Sequence, residues 1–140
     1  MAETGQAIIS ALWTRITTDS TMKSVFDSTV DLYRVMAPQD PSFPYMVHDL
    51  QLSSDLFHST NRYLLDVWVY GANPLVADAA VNRLKQLLHC WRFSITEAGG
   101  LVEWFSGGYI QSDHPQVWHY ATQWDVRMTA TTDITSIVGG

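Results

Sequence analysis

The clearest pattern in the chain is the alternation in "RYLLDVWVYG", residues 62–71. Tyr63, Leu65, Val67 and Val69 share one side of an extended chain. Arg62, Leu64, Asp66, Trp68 and Tyr70 share the other. The second side is half apolar, so this strand is expected to meet a partner or a second layer there. "TVDLYRVM" (residues 29–36) and "YMVHDLQL" (residues 45–52) read as two further strands, and "SSDLFHSTN" as the loop after them. "PQVWHYATQWDVRMT" reads as a long final strand. Trp118, Tyr120, Thr122, Trp124, Val126 and Met128 lie on one face, with His119, Gln123, Asp125 and Arg127 on the other.

A different period marks the helices. From Thr4 to about Thr18, Ile8, Leu12 and Ile16 recur four apart, with Ile9 and Trp13 on the adjoining row and Thr4 as candidate N-cap. Ser20 or Thr21 is expected to cap a short helix carrying Met22, Val25 and Phe26, which breaks at Asp27 and Ser28. The strongest helix opens at Pro74 behind the N-cap Asn73. Its apolar stripe is Val76, Ala80, Leu84, Leu87, Leu88 and Trp91. "RFSITE", a Gly99-Gly100 turn and "LVEWFSGGYIQ" follow, with Gly107-Gly108 read as a bulge or tight turn. The order predicts a single α+β domain over residues 1–128: a largely antiparallel, mixed sheet with helices packed on one face. Residues 129–140, Thr-rich and ending in glycines, are expected as a flexible or partner-docked tail. No internal repeat or second domain is visible.

One segment fits neither period. "MAPQDPSFPYMV" sets Pro38, Pro41 and Pro44 three residues apart before an apolar run. Proline fixes φ and disfavours helix at the residue before it. A stiff extended connector that delivers Tyr45 into a strand is expected. It serves either as a crossover between strands or as an arm offered to a partner.

Composition narrows the function. Hydrophobic residues make up 46% of the chain, an ordinary globular level. The apolar runs are far short of a membrane span, and "MAETGQAIIS" has no positive n-region of a secretory signal. The formal charge is −6, and the 8 lysines and arginines are scattered along the sequence. A basic patch able to displace counterions from nucleic acid is therefore not expected. An acidic surface would instead let DNA pass without sticking. Six tryptophans and six tyrosines exceed what so small a core needs, and aromatics are enriched at interface centres.

Candidate chemistry is sparse. The single Cys90 forms no internal disulfide and, at the end of a helix beside His89, is expected as a buried inert thiol. His114 and His119 have no companions at metal-ligand spacing. No serine sits in G-x-S-x-G and no phosphate-binding loop is present. Asp49, Asp55 and Asp66 read as solvated or interface carboxylates. No catalytic, cofactor-binding or metal-binding residue is assigned, and no enzyme activity is expected.

The features "YRVMAPQD…FPYMV", the "VWVYG" strand and the helix opening shortly after it resemble the tail-completion, or tail-terminator, proteins of long-tailed bacteriophages. These include the lambda minor tail protein U group and related head-to-tail joining proteins. The resemblance runs from about Ala7 to Met128; the segment from His89 to Tyr120 is more aromatic than the family pattern. The resemblance implies a ring, commonly a hexamer, on the last ring of the tail tube. Such a ring stops tube polymerisation and docks to head-tail connector proteins. It is assembled in the bacterial host cytoplasm and retained in the virion, with DNA passing its lumen. The nearest alternative is a head-side neck adaptor ring. An alternative of another class is a small ligand-binding or hydrolytic domain, with Trp104, Tyr109, Trp118 and Trp124 lining an aromatic pocket. The candidate interface residues are Pro41, Phe43 and Pro44 on the proline segment, Leu56 and Phe57 in the loop, and Trp68 and Tyr70 on the outer strand face.

Overall fold

A computed structural model describes residues 2–39, 43–53, 61–71, 73–95, 98–110 and 118–130. Helix α1 (Ala2–Thr17) starts ahead of the expected cap Thr4 and buries Ile8, Leu12 and Ile16, while Trp13 stays exposed. Helix α2 (Ser20–Val25) is capped by Asp19, one residue before the expected Ser20 or Thr21. The Asp19 carboxylate accepts the Met22 N–H at 2.8 Å. The helix stops where expected. Asp27 and Ser28 have φ of 56° and 100°, and Ser28 donates its N–H back to the Lys23 carbonyl at 2.8 Å. That back-bond satisfies a helix-end carbonyl in a left-handed stop.

Strands β1 (Leu32–Arg34), β2 (Tyr45–Ser53), β3 (Asn61–Gly71), β4 (Trp91–Ile95), β5 (Ala98–Ile110) and β6 (Trp118–Ala130) form one mixed sheet in the order β1-β2-β3-β6-β5-β4. Only β1 and β2 run parallel. The expected first strand of eight residues shrinks to three because Val35 adopts φ 67°, which no strand can continue. Parallel neighbours need a connection that carries the chain back. Residues 35–44 make it, so the proline segment is a crossover, and it delivers Tyr45 as the first residue of β2. The expected loop after β2 contains residues 54–60, outside the described residues, as does the tail after Ala130.

The glycine pairs correct the sequence reading. Gly99 and Gly100 lie inside β5, not in a turn. An added Cβ at Gly100 would sit 2.3 Å from Phe93 Cζ and 2.8 Å from Met128 Sδ, so the strand needs glycine for close packing. Gly107 and Gly108 also continue β5; the register irregularity falls between Trp104 and Ser106. Gly107 yields its space to the Trp104 ring, whose edge would lie 2.4 Å from an added Cβ.

Helix α3 (Pro74–Leu88) starts as predicted, with Asn73 Oδ1 accepting the Val76 N–H at 3.0 Å. It buries Ala77, Ala80, Val81, Leu84, Leu87 and Leu88, while Val76 and Trp91 lie at the margin of the stripe. The helices pack on one face of the sheet, against Leu65, Val67, Val69, Val102, Trp124 and Val126. The fold class is therefore the predicted α+β architecture. Arg83 on α3 closes a fork on Asp19, with bonds of 2.6 and 2.8 Å, and so pins the α1–α2 corner to α3.

Three outcomes are expected. Asp19→Ala should cost about 1–2 kcal/mol in chemical denaturation through loss of the cap. The Arg83 fork holds the Asp19 carboxyl below its usual range. Its contribution is therefore complete above the unfolded value near 4 and is lost as pH falls through the folded one. Asp19→Asn, which keeps a cap, should accordingly flatten the acid limb of a stability–pH curve. Gly100→Ala should destabilise by roughly 1–3 kcal/mol, because Phe93 or Met128 must give way.

Candidate interface on the open sheet face

Strands send alternate side chains to opposite faces, and the helices cover only one. The other face carries a row of rings. Tyr45 lies opposite Tyr70, and Tyr70 opposite His119, in register across β2, β3 and β6. Tyr45 and Tyr70 stack at 4.6 Å with planes 12° apart; Tyr70 and His119 stack at 4.2 Å and 19°. Tyr33 on β1 and Phe43 join the row at 6.2 and 5.5 Å from Tyr45. Inside the row each stacked face is filled by a neighbouring ring, so the ring edges are what the row presents outward. Burial raises the hydroxyl pKa of Tyr45 and Tyr70, so both remain protonated donors. Burial also lowers the pKa of His119, whose Nε2 has no hydrogen-bond partner among the described residues.

The face is graded along the strands. Beside the ring row lie Val47, Trp68, Ala121 and Gly108, in register. Asp49, Asp66, Gln123 and Ser106 form the next row. At the far end are Arg62, Arg127 and Arg92, which are scattered in sequence but brought together by strand pairing. They do not make a basic patch: Asp125 binds Arg62 at 3.0 Å and Arg127 at 2.9 Å, and Glu103 is opposite Asp125.

Of the candidate interface residues, Phe43, Trp68 and Tyr70 come together at the aromatic end, with Pro44 joining Phe43 to Tyr45 through a cis peptide bond. Pro41, Leu56 and Phe57 lie outside the described residues. Tyr33, Tyr45 and His119 belong to the row but were not singled out. Alternation assigns a face to each, yet only strand order and register make them neighbours.

The proposed aromatic quartet does not converge on one pocket. Trp124 is fully buried and meets Trp104 edge-on at 5.0 Å. Its Nε1–H donates to Thr122 Oγ1 at 2.9 Å, and Thr122 donates to the Val67 carbonyl. Lys85 Nζ lies 4.5 Å from the Trp104 ring centre. Tyr109 and Trp118 form a separate, exposed pair, and Tyr109 donates to Asp78. Cys90 is exposed, not buried as expected, because the chain leaves α3 there with φ 62°. His89 Nδ1 already accepts the Trp104 N–H at 3.0 Å, which occupies the nitrogen a thiol relay would need. The cleft of about 750 Å³ beside α1 holds Arg15. That side chain is committed to the Leu87 carbonyl and to the face of Trp91. Among the described residues no group of three or more His, Cys, Asp or Glu side chains converges on a metal position, and no helix is long and apolar enough to cross a membrane.

No family model matches the sequence, and no curated protein is similar to it. Solved structures are. A chain in the virion of a native gene transfer agent particle superposes with a TM-score of 0.72 at 12% identity, over 89% of this chain and 96% of that one. A second solved chain gives 0.69 at 12% identity, over 89% and 95%. The shared property is the fold, over most of both chains.

The histidines make the face and its flank acid-sensitive. His48, on the helix side of β2, is buried; desolvation first and Arg34 second lower its pKa, against a smaller opposing pull from Asp49. A histidine held neutral in the fold lets the unfolded chain bind more protons below about 6.5. Stability should therefore fall as pH drops from about 6.5 toward the folded values. His119→Phe, which keeps a stacking ring, should reduce that slope in denaturation midpoints measured between pH 8 and 5.

Proposed function

We propose that this chain is a structural virion protein that assembles as a ring, of six subunits by family resemblance, at the head-proximal end of a phage tail. The ring terminates tail-tube polymerisation and joins tail to head. The observation that carries the reading is the fold likeness, over most of both chains, to a chain built into a virion. The resemblance of the proline segment and the "VWVYG" strand to tail-completion proteins supplies the finer assignment.

The surface chemistry fits an assembly part. A sheet face left open by the helices carries stacked, preorganised rings, which lose little side-chain freedom on docking. Phe43, at its margin, is 44% exposed. The net charge of −6 suits a channel that DNA crosses without adhering. Partners on this reading are further copies of the chain, the tail-tube protein and the head-tail connector.

The test is tube length. Tubes polymerised from the tail-tube protein of the same genome should stop growing and acquire an end ring when this chain is added. Tubes that lengthen unchanged, with no bound ring in negative stain, overturn the proposal. Phe43→Asp should keep the wild-type circular dichroism spectrum yet lose most of the capping activity.

A further inference from the structure

Resting on the ring reading above, we infer a head-to-tail contact between copies of this chain, in which Val35 and Met36 of one copy enter a hollow on the open sheet face of the next. Val35 is a β-branched residue at φ 67°, inside a three-residue turn closed by the Met36 N–H on the Arg34 carbonyl at 2.7 Å. That turn is strained for such a side chain. A second bond, from the Val35 N–H to the His48 carbonyl at 2.7 Å, holds it against the sheet. The result is a fixed apolar knob at the sheet edge, with Val35 58% and Met36 78% exposed. Strain kept in order to hold apolar side chains in water points to a surface that is covered in the assembled state.

The hollow lies over β6 and β5 on the same face and measures about 510 Å³. Gly108 and Ala121 form its floor, Trp68 and Ile110 stand at its sides, and Asp66 and Gln123 bring polar groups. An apolar centre with a polar rim is the anatomy of a protein contact. An added Cβ at Gly108 would meet nothing within 4 Å, so its absence is not required by packing inside the subunit.

Charge selects the same occupant. Asp66 faces Asp49 directly across β2 and β3, and among the described residues neither has a cation within ion-pair distance. Gln51 Nε2, at 3.0 Å from Asp49, is the neutral donor there. Arg34, next to the knob, donates to Gln6 Oε1 at 3.5 Å and takes part in none of the ion pairs among residues whose side chains are described. A second copy therefore brings a cation with the knob to a hollow lined by Asp66, which has no ion-pair partner among the described residues, with Asp49 beside it across the strand pair. Knob and hollow are different surfaces, at β1 and at β6–β5, so each copy gives one and receives the other. Such a heterologous contact generates a ring when its rotation closes and an open filament when it does not, and the ring reading above requires the first.

The experiment compares wild type, Met36→Glu and Gly108→Leu by native mass over a concentration series, with negative stain and circular dichroism. Met36 is exposed and Gly108 has open space, so both variants should keep the fold. Wild type should form rings, and each variant should need roughly thirtyfold more protein or fail to assemble, as for loss of one buried anchor. An equimolar mixture of the two variants retains one sound knob and one sound hollow, and should stop at heterodimers. Variants that form rings like wild type overturn the contact and leave the virion reading intact. Wild type that stops at dimers reveals a two-fold pairing and overturns the head-to-tail arrangement. Wild type that stays monomeric at millimolar concentration overturns the contact between copies, while the tube-length assay still decides the virion reading separately.

Discussion

The structure turns on a mismatch between sheet and helices. Each strand sends half of its side chains to either face, and three helices cover one face. The covered face is a conventional core of Leu65, Val67, Val69 and Trp124, closed by Leu84 and Leu88. The uncovered face has to satisfy itself. It does so with stacked rings at one end and a shared carboxylate between two arginines at the other. The surface on which the proposed assembly role rests is therefore the half of the sheet that the helices do not reach.

Much of this is legible from periodicity. The alternation of residues 62–71, the Asn73–Pro74 start of α3 and the two faces of β6 follow from local chemistry, and the structure keeps them. The departures have local physical causes that composition hides. Val35 ends β1 early through a positive φ that nothing in its residue type announces. Gly100 reads as a turn residue but is required because Phe93 and Met128 fill the place of its side chain. Asp19, not Ser20 or Thr21, is the cap, and the same carboxylate takes the fork of Arg83, far away in sequence.

The candidate interface was only half visible for a related reason. Trp68 and Tyr70 stand out in a single strand, and Phe43 in a proline-rich segment. Tyr45 and His119 become part of the same feature only once β2, β3 and β6 are set side by side. The same pairing gathers Arg62, Arg92 and Arg127, while Trp104 and Trp124 turn inward as a core pair. Non-local register, rather than residue type, decides which aromatics gather on the open face.

The stacked row also acts as a gauge of correct folding. A slip of β3 by one residue against either neighbour would carry Tyr70 to the helix side. It would then break its contacts with Tyr45 and His119 together. A mispaired sheet thus cannot display the row, and an unfinished subunit lacks the surface by which it would be recruited. On the assembly role proposed above, admission to a particle would be conditional on strand alignment inside each building block, with no separate inspector.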